Sequence, residues 1–276
     1  MTSVGTTTRW PVCFITGGGS GIGRQLAMML AAEGADVALF DLTVPDTVRD
    51  EIAAAGTGRV VVFETDVCDE AALASAVAAA VGELGPPSLA INSAGLSRNE
   101  RFETSTLADF ELTLRVNLIG SRNFAAAVLQ HMKAGSRLAL IASLAGITGG
   151  YTYAAYAASK AGVIGLAKVL RVEYAPRDIA VSVICPPEIL TPMVEKSSIG
   201  IHPATRALKN VGGTLEVGPA CAEMLAGLAK GRFTVIPGKK GRRAARLTRL
   251  LPERVTQRAA DRIVASALRE HPEAPR

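Results

Sequence analysis

PVCFITGGGSGIGRQLAMML, residues 11–30, contains the fold in miniature. Pro11–Thr16 is a short apolar run that reads as a buried strand. At its end stands a glycine cluster, Thr16-Gly17-Gly18-Gly19-Ser20-Gly21-Ile22-Gly23. Ile22, Leu26, Met29 and Leu30 then recur at helical spacing and stop at Gly34. Glycines in such a turn let backbone N–H groups approach a diphosphate, and the helix N-terminus adds partial positive charge. A glycine-rich turn with no ligand is the competing reading, and this motif alone does not separate the two.

The alternation continues outward from this unit. Asp36–Phe40, Val60–Phe63, Ser88–Ile91, Arg137–Ala142, Ile179–Cys185 and Phe233–Ile236 read as strands. Asp69–Val81, the long stretch Leu107–Met132 and Ala154–Tyr174 read as helices. Near-continuous apolar strands such as VVVF suit a sheet covered on both faces. An α/β fold with a doubly wound parallel sheet of six to seven strands is expected. It should occupy residues 10–237 as one domain. Residues 187–215 interrupt the pattern, and a segment that long is expected to be a substrate loop or lid.

Composition narrows the function. Of 276 residues, 49% are hydrophobic, 20% charged and 4% aromatic, which excludes disorder and permits a large aliphatic core. Cys13, Cys68, Cys185 and Cys221 show no CxxC spacing, and His131, His202 and His271 are scattered. Neither a disulfide framework, a metal site nor a histidine triad is expected. No apolar run approaches the roughly 18–20 residues of a membrane span. The first ten residues, MTSVGTTTRW, lack the apolar core of a signal peptide, so a cytoplasmic protein is expected.

Several residues at strand ends carry chemistry. Asp41 lies 18 residues after Gly23, close to the spacing expected of a carboxylate that bonds adenosine ribose hydroxyls. It would repel a 2′-phosphate, and Leu42 offers no compensating arginine, so NAD is favoured over NADP. A helix-capping role for Asp41 is the alternative, and Arg24 beside the glycine turn could offset part of the repulsion. Asp66-Val67 and Asn92-Ser93-Ala94-Gly95 also follow strands, where open α/β sheets bind ligands.

Ser143, Tyr156 and Lys160 form the sharpest group. In Tyr156-Ala-Ala-Ser-Lys160 the phenol and ammonium stand at i and i+4 on one helix face. An ammonium beside a phenol favours phenolate and should lower its pKa toward neutrality. Such a tyrosine can give or take a proton. Ser143 ends the preceding strand and could hydrogen-bond a substrate oxygen as charge develops. Tyr151 and Tyr153 have alanines at i+4 and carry no such partner. A dinucleotide-binding regulatory protein would need none of the three catalytic groups.

With these motifs in order, residues 10–237 resemble the short-chain dehydrogenase/reductase family. TGGGSGIG, NSAG, Asn117 in the long middle helix, Ser143 and YAASK carry the likeness. It implies a Rossmann-type fold and a catalytic centre of Ser143, Tyr156 and Lys160, with Asn117 holding a water in a proton relay. It also implies a homodimer or homotetramer built on the helices that contain Asn117 and Tyr156. The implied dinucleotide contacts come from Gly17, Ser20, Gly21, Ile22, Gly23, Asp41, Leu42, Asp66, Val67, Asn92, Ala94, Gly95, Tyr156 and Lys160, with Ile189 and Thr191 facing the nicotinamide amide. Two positions depart from the family pattern. Ile91 stands where an Asn is common, and Pro186-Pro187 stands where Pro-Gly is usual. The Pro-Pro form is similar to lipid-ketone reductases such as 3-ketosphinganine reductases, whose usual cofactor is NADPH, in conflict with Asp41.

The expected reaction is hydride transfer interconverting a hydrophobic secondary alcohol and its ketone with NAD. An NADPH-dependent 3-ketoacyl or lipid-ketone reductase is the alternative. Ile189, Leu190, Met193, Val194, Leu208 and Val211 make the 187–215 segment apolar enough to cover such a substrate, or merely to pack on the body. The chain ends in a basic extension, 238–276. Residues 230–276 hold 13 Lys+Arg against 4 Asp+Glu, while the rest of the chain holds 17 against 21. Arg242, Arg243, Arg246 and Arg249 alternate with leucines up to Pro252, and Glu253–Leu268 suits a second helix. Packing on the body, contact with an anionic membrane and nucleic-acid binding are the three readings. The last has no interleaved aromatics to recommend it.

Overall fold

Alternate residues of a strand point to opposite faces of its sheet, so apolar residues on both phases need cover on both sides. The computed structural model describes residues 8–272 and meets that need with helices on each face. The chain runs β1 (Val12–Thr16), α1 (Gly21–Ala32), β2 (Asp36–Asp41), α2 (Asp46–Ala54), β3 (Val60–Glu64), α3 (Glu70–Leu84) and β4 (Leu89–Asn92). It continues through α4 (Leu107–Leu114), α5 (Gly120–Leu129), β5 (Arg137–Ile141), α6 (Ala145–Thr148), α7 (Ala154–Tyr174) and β6 (Ala180–Ile184). The last third adds β7 (Glu188–Ile189), α8 (Pro192–Ser198), α9 (Pro203–Gly212), β8 (Thr214–Leu215), α10 (Val217–Ala229), β9 (Thr234–Val235), α11 (Lys239–Leu250) and α12 (Glu253–Glu270).

Seven parallel strands make the central sheet, in the order β3-β2-β1-β4-β5-β6-β9. On one face Cys13, Ile15, Val37, Leu39, Leu89 and Ile91 pack with Leu26 and Leu30 of α1 and Met224 and Leu228 of α10. On the other, Phe14, Phe40, Ala90, Leu138 and Leu140 pack with Leu73 of α3, Phe124 and Val128 of α5 and Val163 of α7. Each fully buried large side chain contributes roughly 1.5–3 kcal/mol. The order reverses between β1 and β4, and the crevice at such a switch point is where a doubly wound sheet binds its ligand.

Three local readings are corrected. Leu107–Met132 is not one regular helix, because a π-helical turn at Arg115–Ile119 separates α4 from α5. Such turns often sit at functional positions, and this one holds Asn117 buried. The segment 187–215 is structured: α8 and α9 fill it, and β7 pairs with β8 through Glu188–Thr214 and Ile189–Leu215. Helices α2 and α10 come in addition to the helices expected, and α10 buries Ala220, Cys221, Met224, Leu225 and Leu228 against the sheet. The extension forms the two expected helices, and it folds back: α12 and α11 pack on α9, and α11 also meets α6. Arg242 donates to Glu223 at 2.6 Å and to the Ile236 carbonyl at 3.1 Å, fixing the start of α11. Among the described residues no helix is long and apolar enough to cross a membrane.

Candidate active site

The glycine turn is shaped by close backbone approach. Gly17 sits at φ +65°, where a Cβ would lie 2.8 Å from the Ala94 nitrogen. A Cβ on Gly23 would lie 2.1 Å from the Gly17 carbonyl, so only glycine lets α1 start against the turn. Ser20, the exposed N-cap of α1, makes no side-chain cap, and Ile22 follows in the first turn. Thr191 caps the approach from the opposite side, its methyl carbon 3.3 Å from where a Gly21 Cβ would stand. It is anchored by a hydroxyl bond to the Ile189 carbonyl at 3.3 Å.

Asp41 ends β2 beside this turn. Its Oδ2 accepts from the Gly19 N–H at 2.9 Å and its Oδ1 from the Leu42 N–H at 2.8 Å. Arg24 does not reach it; the guanidinium pairs with Glu51 on α2. Leu42 is largely exposed at the edge of the crevice. Asp66 accepts from the Cys68 N–H at 2.8 Å and is exposed, while Val67 is buried and packs on Gly120. Asn92 has a different task. Its Oδ1 accepts from Thr16 Oγ at 2.9 Å and its Nδ2 donates to Ser121 Oγ at 2.8 Å, tying β4 to β1 and α5. Its side chain is engaged with the framework, and Ser93 and Gly95 of the same segment line the cavity. The glycine cradle, the uncapped start of α1 and Asp41 at the edge fit a dinucleotide.

Ser143, Tyr156 and Lys160 converge on the wall of a cavity of about 550 Å³. Ser143 closes the end of β5, and its Oγ accepts from the Ala145 N–H at 3.2 Å. Lys160 is buried, with Nζ donating to the Ile141 carbonyl at 2.9 Å and lying 5.8 Å from the Tyr156 ring centroid. Asn117 is clamped: Nδ2 donates to Leu96 O at 3.0 Å and Ser159 Oγ at 2.9 Å, and Oδ1 accepts from Leu96 N at 2.8 Å. A Cβ on Gly95 would lie 3.0 Å from Asn117 Oδ1 and 3.4 Å from Lys160 Nζ, so all three meet at one point. Ser159 donates in turn to the Tyr156 carbonyl at 2.7 Å, which links the clamp to the catalytic turn of α7.

The electrostatics differ from the expectation for an isolated i, i+4 pair. Burial pushes the Tyr156 phenol up to about 12, and hydrogen bonding with Ser143 opposes this only in part. Burial also pulls the Lys160 ammonium down to about 8. Desolvation penalises the charged form of each group, and it is the largest cause of both shifts. The ammonium donates to the Ile141 carbonyl and lies over the Tyr156 ring, 5.8 Å from its centroid.

Sequence reasoning set Tyr151 and Tyr153 aside, yet both line the cavity. Tyr153 packs on Tyr156 with ring centroids 5.3 Å apart. Glu188 and Lys209 also reach the cavity, joined at 2.5 Å, with Arg206 and Thr214 holding Glu188 at 2.8 and 2.9 Å. The strand spacing in this region was too short to reveal that pairing.

The family model for short chain dehydrogenases matches residues 11–200. The chain belongs to that family. Levodione reductase from Leifsonia aquatica is 37% identical over 205 residues, 71% of this chain and 77% of its own length. 3-Dehydrosphinganine reductase from Arabidopsis thaliana is 35% identical over 229 residues, 80% and 69%. A crystal structure of a short chain dehydrogenase from Mycobacterium paratuberculosis bound to NAD superposes with a TM-score of 0.74 at 25% identity, covering 85% of this chain and 97% of that one. The short-chain dehydrogenase described here is therefore an oxidoreductase acting on CH–OH groups with NAD or NADP.

Proposed function

We propose that this enzyme interconverts an apolar, uncharged secondary alcohol and its ketone, with NAD preferred. The observation that carries the reading is the character of the cavity around Ser143 and Tyr156. Of the described residues that line it, the charged ones are Lys160, Glu188 and Lys209. Lys209 is paired with Glu188, which Arg206 also contacts, and Lys160 is turned to a backbone carbonyl. An anionic substrate would have to compete with Glu188 for Lys209, whereas an aliphatic ketone would meet Ile189, Leu208 and Val211.

When bound, the dinucleotide supplies the hydride acceptor or donor. Gly17, Gly21 and the start of α1 would hold its diphosphate, Asp41 its adenosine ribose, and Lys160 its nicotinamide ribose. Asp66, Val67, Ala94, Gly95, Ile189 and Thr191 would complete the contact. In the ketone-to-alcohol direction the Tyr156 hydroxyl donates a proton to the substrate oxygen. Ser143 donates a hydrogen bond to the same oxygen, and Lys160 places positive charge near the phenolate as it forms. In the reverse direction the phenolate takes the proton. Asn117 fixes the catalytic turn, and a water held beside it would connect Lys160 to solvent.

Activity should rise with chain length across aliphatic ketones. Each methylene buried against the apolar wall can contribute up to about 0.8 kcal/mol, or about fourfold in kcat/KM. A steady-state series from short to medium chains with NADH checks this, and a flat trend would remove the apolar-substrate reading. The second reading, an NADPH-dependent lipid-ketone reductase, is favoured by Pro186-Pro187 and by the likeness to the 3-dehydrosphinganine reductase.

The outer faces of α4 and α7 carry exposed Leu107, Leu112, Val169 and Val172, which suit a homodimer or homotetramer built on those helices. The arginines of α11 face outward beside Leu250, which is 65% exposed. This edge would let a cytoplasmic enzyme touch an anionic membrane. Co-sedimentation with phosphatidylserine vesicles should fall when Arg243, Arg246 and Arg249 are replaced by Gln, and should fall with salt, because screening lengths are about 10 Å at 0.1 M. Equal sedimentation of both proteins would leave α11 with a packing role only.

A further inference from the structure

We infer that α12, at the far end of the extension, is the outer wall of the substrate cavity and sets the length of the apolar group it accepts. This rests on the reading of that cavity as the substrate site. The cavity that Tyr156 faces is closed on its far side by Leu251, Val255, Ala260 and Ile263, residues of the α11–α12 elbow and of α12 itself. Val255, Ala259 and Ile263 stand at i, i+4 and i+8, and Ala267 continues the stripe as the buried residue of the helix. Arg254, Arg258 and Arg262 occupy the opposite, exposed face.

The helix reaches this place by packing on α9 rather than on the sheet. The cavity wall thus has two layers: α9 within, and α12 across from it. Where α12 borders the cavity, Ala259 and Ala260 leave room that larger side chains would fill. Leu251 and Val255 line the cavity and still keep 39% and 43% of their surface exposed. The space between these residues and Tyr156 is the track for an alkyl or alicyclic group. The family match ends at residue 200, and the solved relatives cover 82–86% of this chain. A wall built from residues 251–263 therefore lies beyond the matched family segment, and it gives this enzyme a selectivity that the glycine turn and the Ser143–Tyr156–Lys160 group cannot set.

The test uses two substitutions in the full chain, Ala260→Phe to fill the track and Ile263→Ala to widen it. Calorimetric affinity for a long-chain methyl ketone is measured alongside kcat/KM for that ketone and for acetone. Ala260→Phe should weaken the long ketone about tenfold, the loss of contact for about two methylenes, and change acetone less than about twofold. Ile263→Ala should shift the ratio toward bulkier ketones. NAD affinity should stay at the wild-type value in both. If both variants treat long and short ketones alike, or like the wild type, α12 is not the wall. Should Ala260→Phe fail to fold, Ile263→Ala decides alone. Absence of turnover by the wild type with either dinucleotide would overturn the reaction assignment instead, and the calorimetric arm, which needs no turnover, would still decide the wall.

Discussion

Replacing Tyr156 by phenylalanine is expected to lower kcat by about 10²–10⁴-fold, the range that proton transfer by a positioned side chain supplies, while NAD affinity changes little. The phenylalanine ring keeps its packing against Tyr153, whose centroid lies 5.3 Å away. Only the transferable proton and its bond with Ser143 disappear. Single-turnover rates and fluorescence titration of dinucleotide binding separate the two effects. Most of the activity surviving in the variant would show that another group moves the proton. The ionisation of the pair adds a sign to this expectation. With the phenol at about 12 and the ammonium at about 8, Tyr156 is protonated and Lys160 mainly cationic at neutral pH. That state is ready to reduce a ketone. Raising the pH through about 8 removes the Lys160 charge first, so kcat/KM for reduction should fall over that interval, and Lys160→Met should abolish the pH dependence together with most of the rate.

NAD should bind more tightly than NADP by about fivefold to several hundredfold, and Asp41 should be the cause. A 2′-phosphate would bring like charge within a few ångströms of the carboxylate, costing roughly 1–4 kcal/mol between water and surface-like dielectric limits. Asp41 is held in place by the N–H groups of Gly19 and Leu42 at 2.9 and 2.8 Å, so it cannot easily swing away. Arg24, in the first turn of α1, is engaged with Glu51. Titrations of wild type and Asp41→Ser with both dinucleotides measure the effect. The substitution should weaken NAD and relieve NADP, narrowing the gap. Tighter NADP binding to wild type would reverse the cofactor assignment and bring the lipid-ketone reductase reading forward. The variant Glu51→Gln frees Arg24 and should help NADP selectively, which shows how one surface pair on α2 supports the selectivity that Asp41 creates.

Much of the fold was legible because its signals are local. The apolar runs of β1, β4 and β6 alternate on both phases, and the helical spacing of Ile22, Leu26 and Leu30 needs only neighbouring turns. Tyr156 and Lys160 had to share a face of α7 once Ala154–Tyr174 was read as a helix, since four residues make about one turn. The glycine turn was equally readable, because Gly17 and Gly23 are required by backbone contacts within a few residues or with the adjacent strand.

The remainder depended on contacts between residues far apart in the chain. Strand order follows from which strand pairs with which, and no local period encodes that β9 joins β6 after a gap of some fifty residues. The ionisation of Tyr156 and Lys160 also depends on how much water the surrounding elements exclude, so a spacing rule that sees only the two residues misses the upward push of burial on the phenol. That Thr16 and Ser121, from other elements, engage the side-chain amide of Asn92 could not be read from its place at the end of β4. Packing on the body was one of the readings of the basic extension, but composition did not say where it packs; its sparse leucine and alanine stripe meets α9 and lines a cavity more than a hundred residues from Ser143 in sequence. What the sequence by itself determined is the alternating scaffold and the identity of its chemical groups, since these rest on short-range periodicity and spacing. Only the tertiary structure decided how those groups are desolvated and what shape faces them, because burial is a property of the whole packed chain.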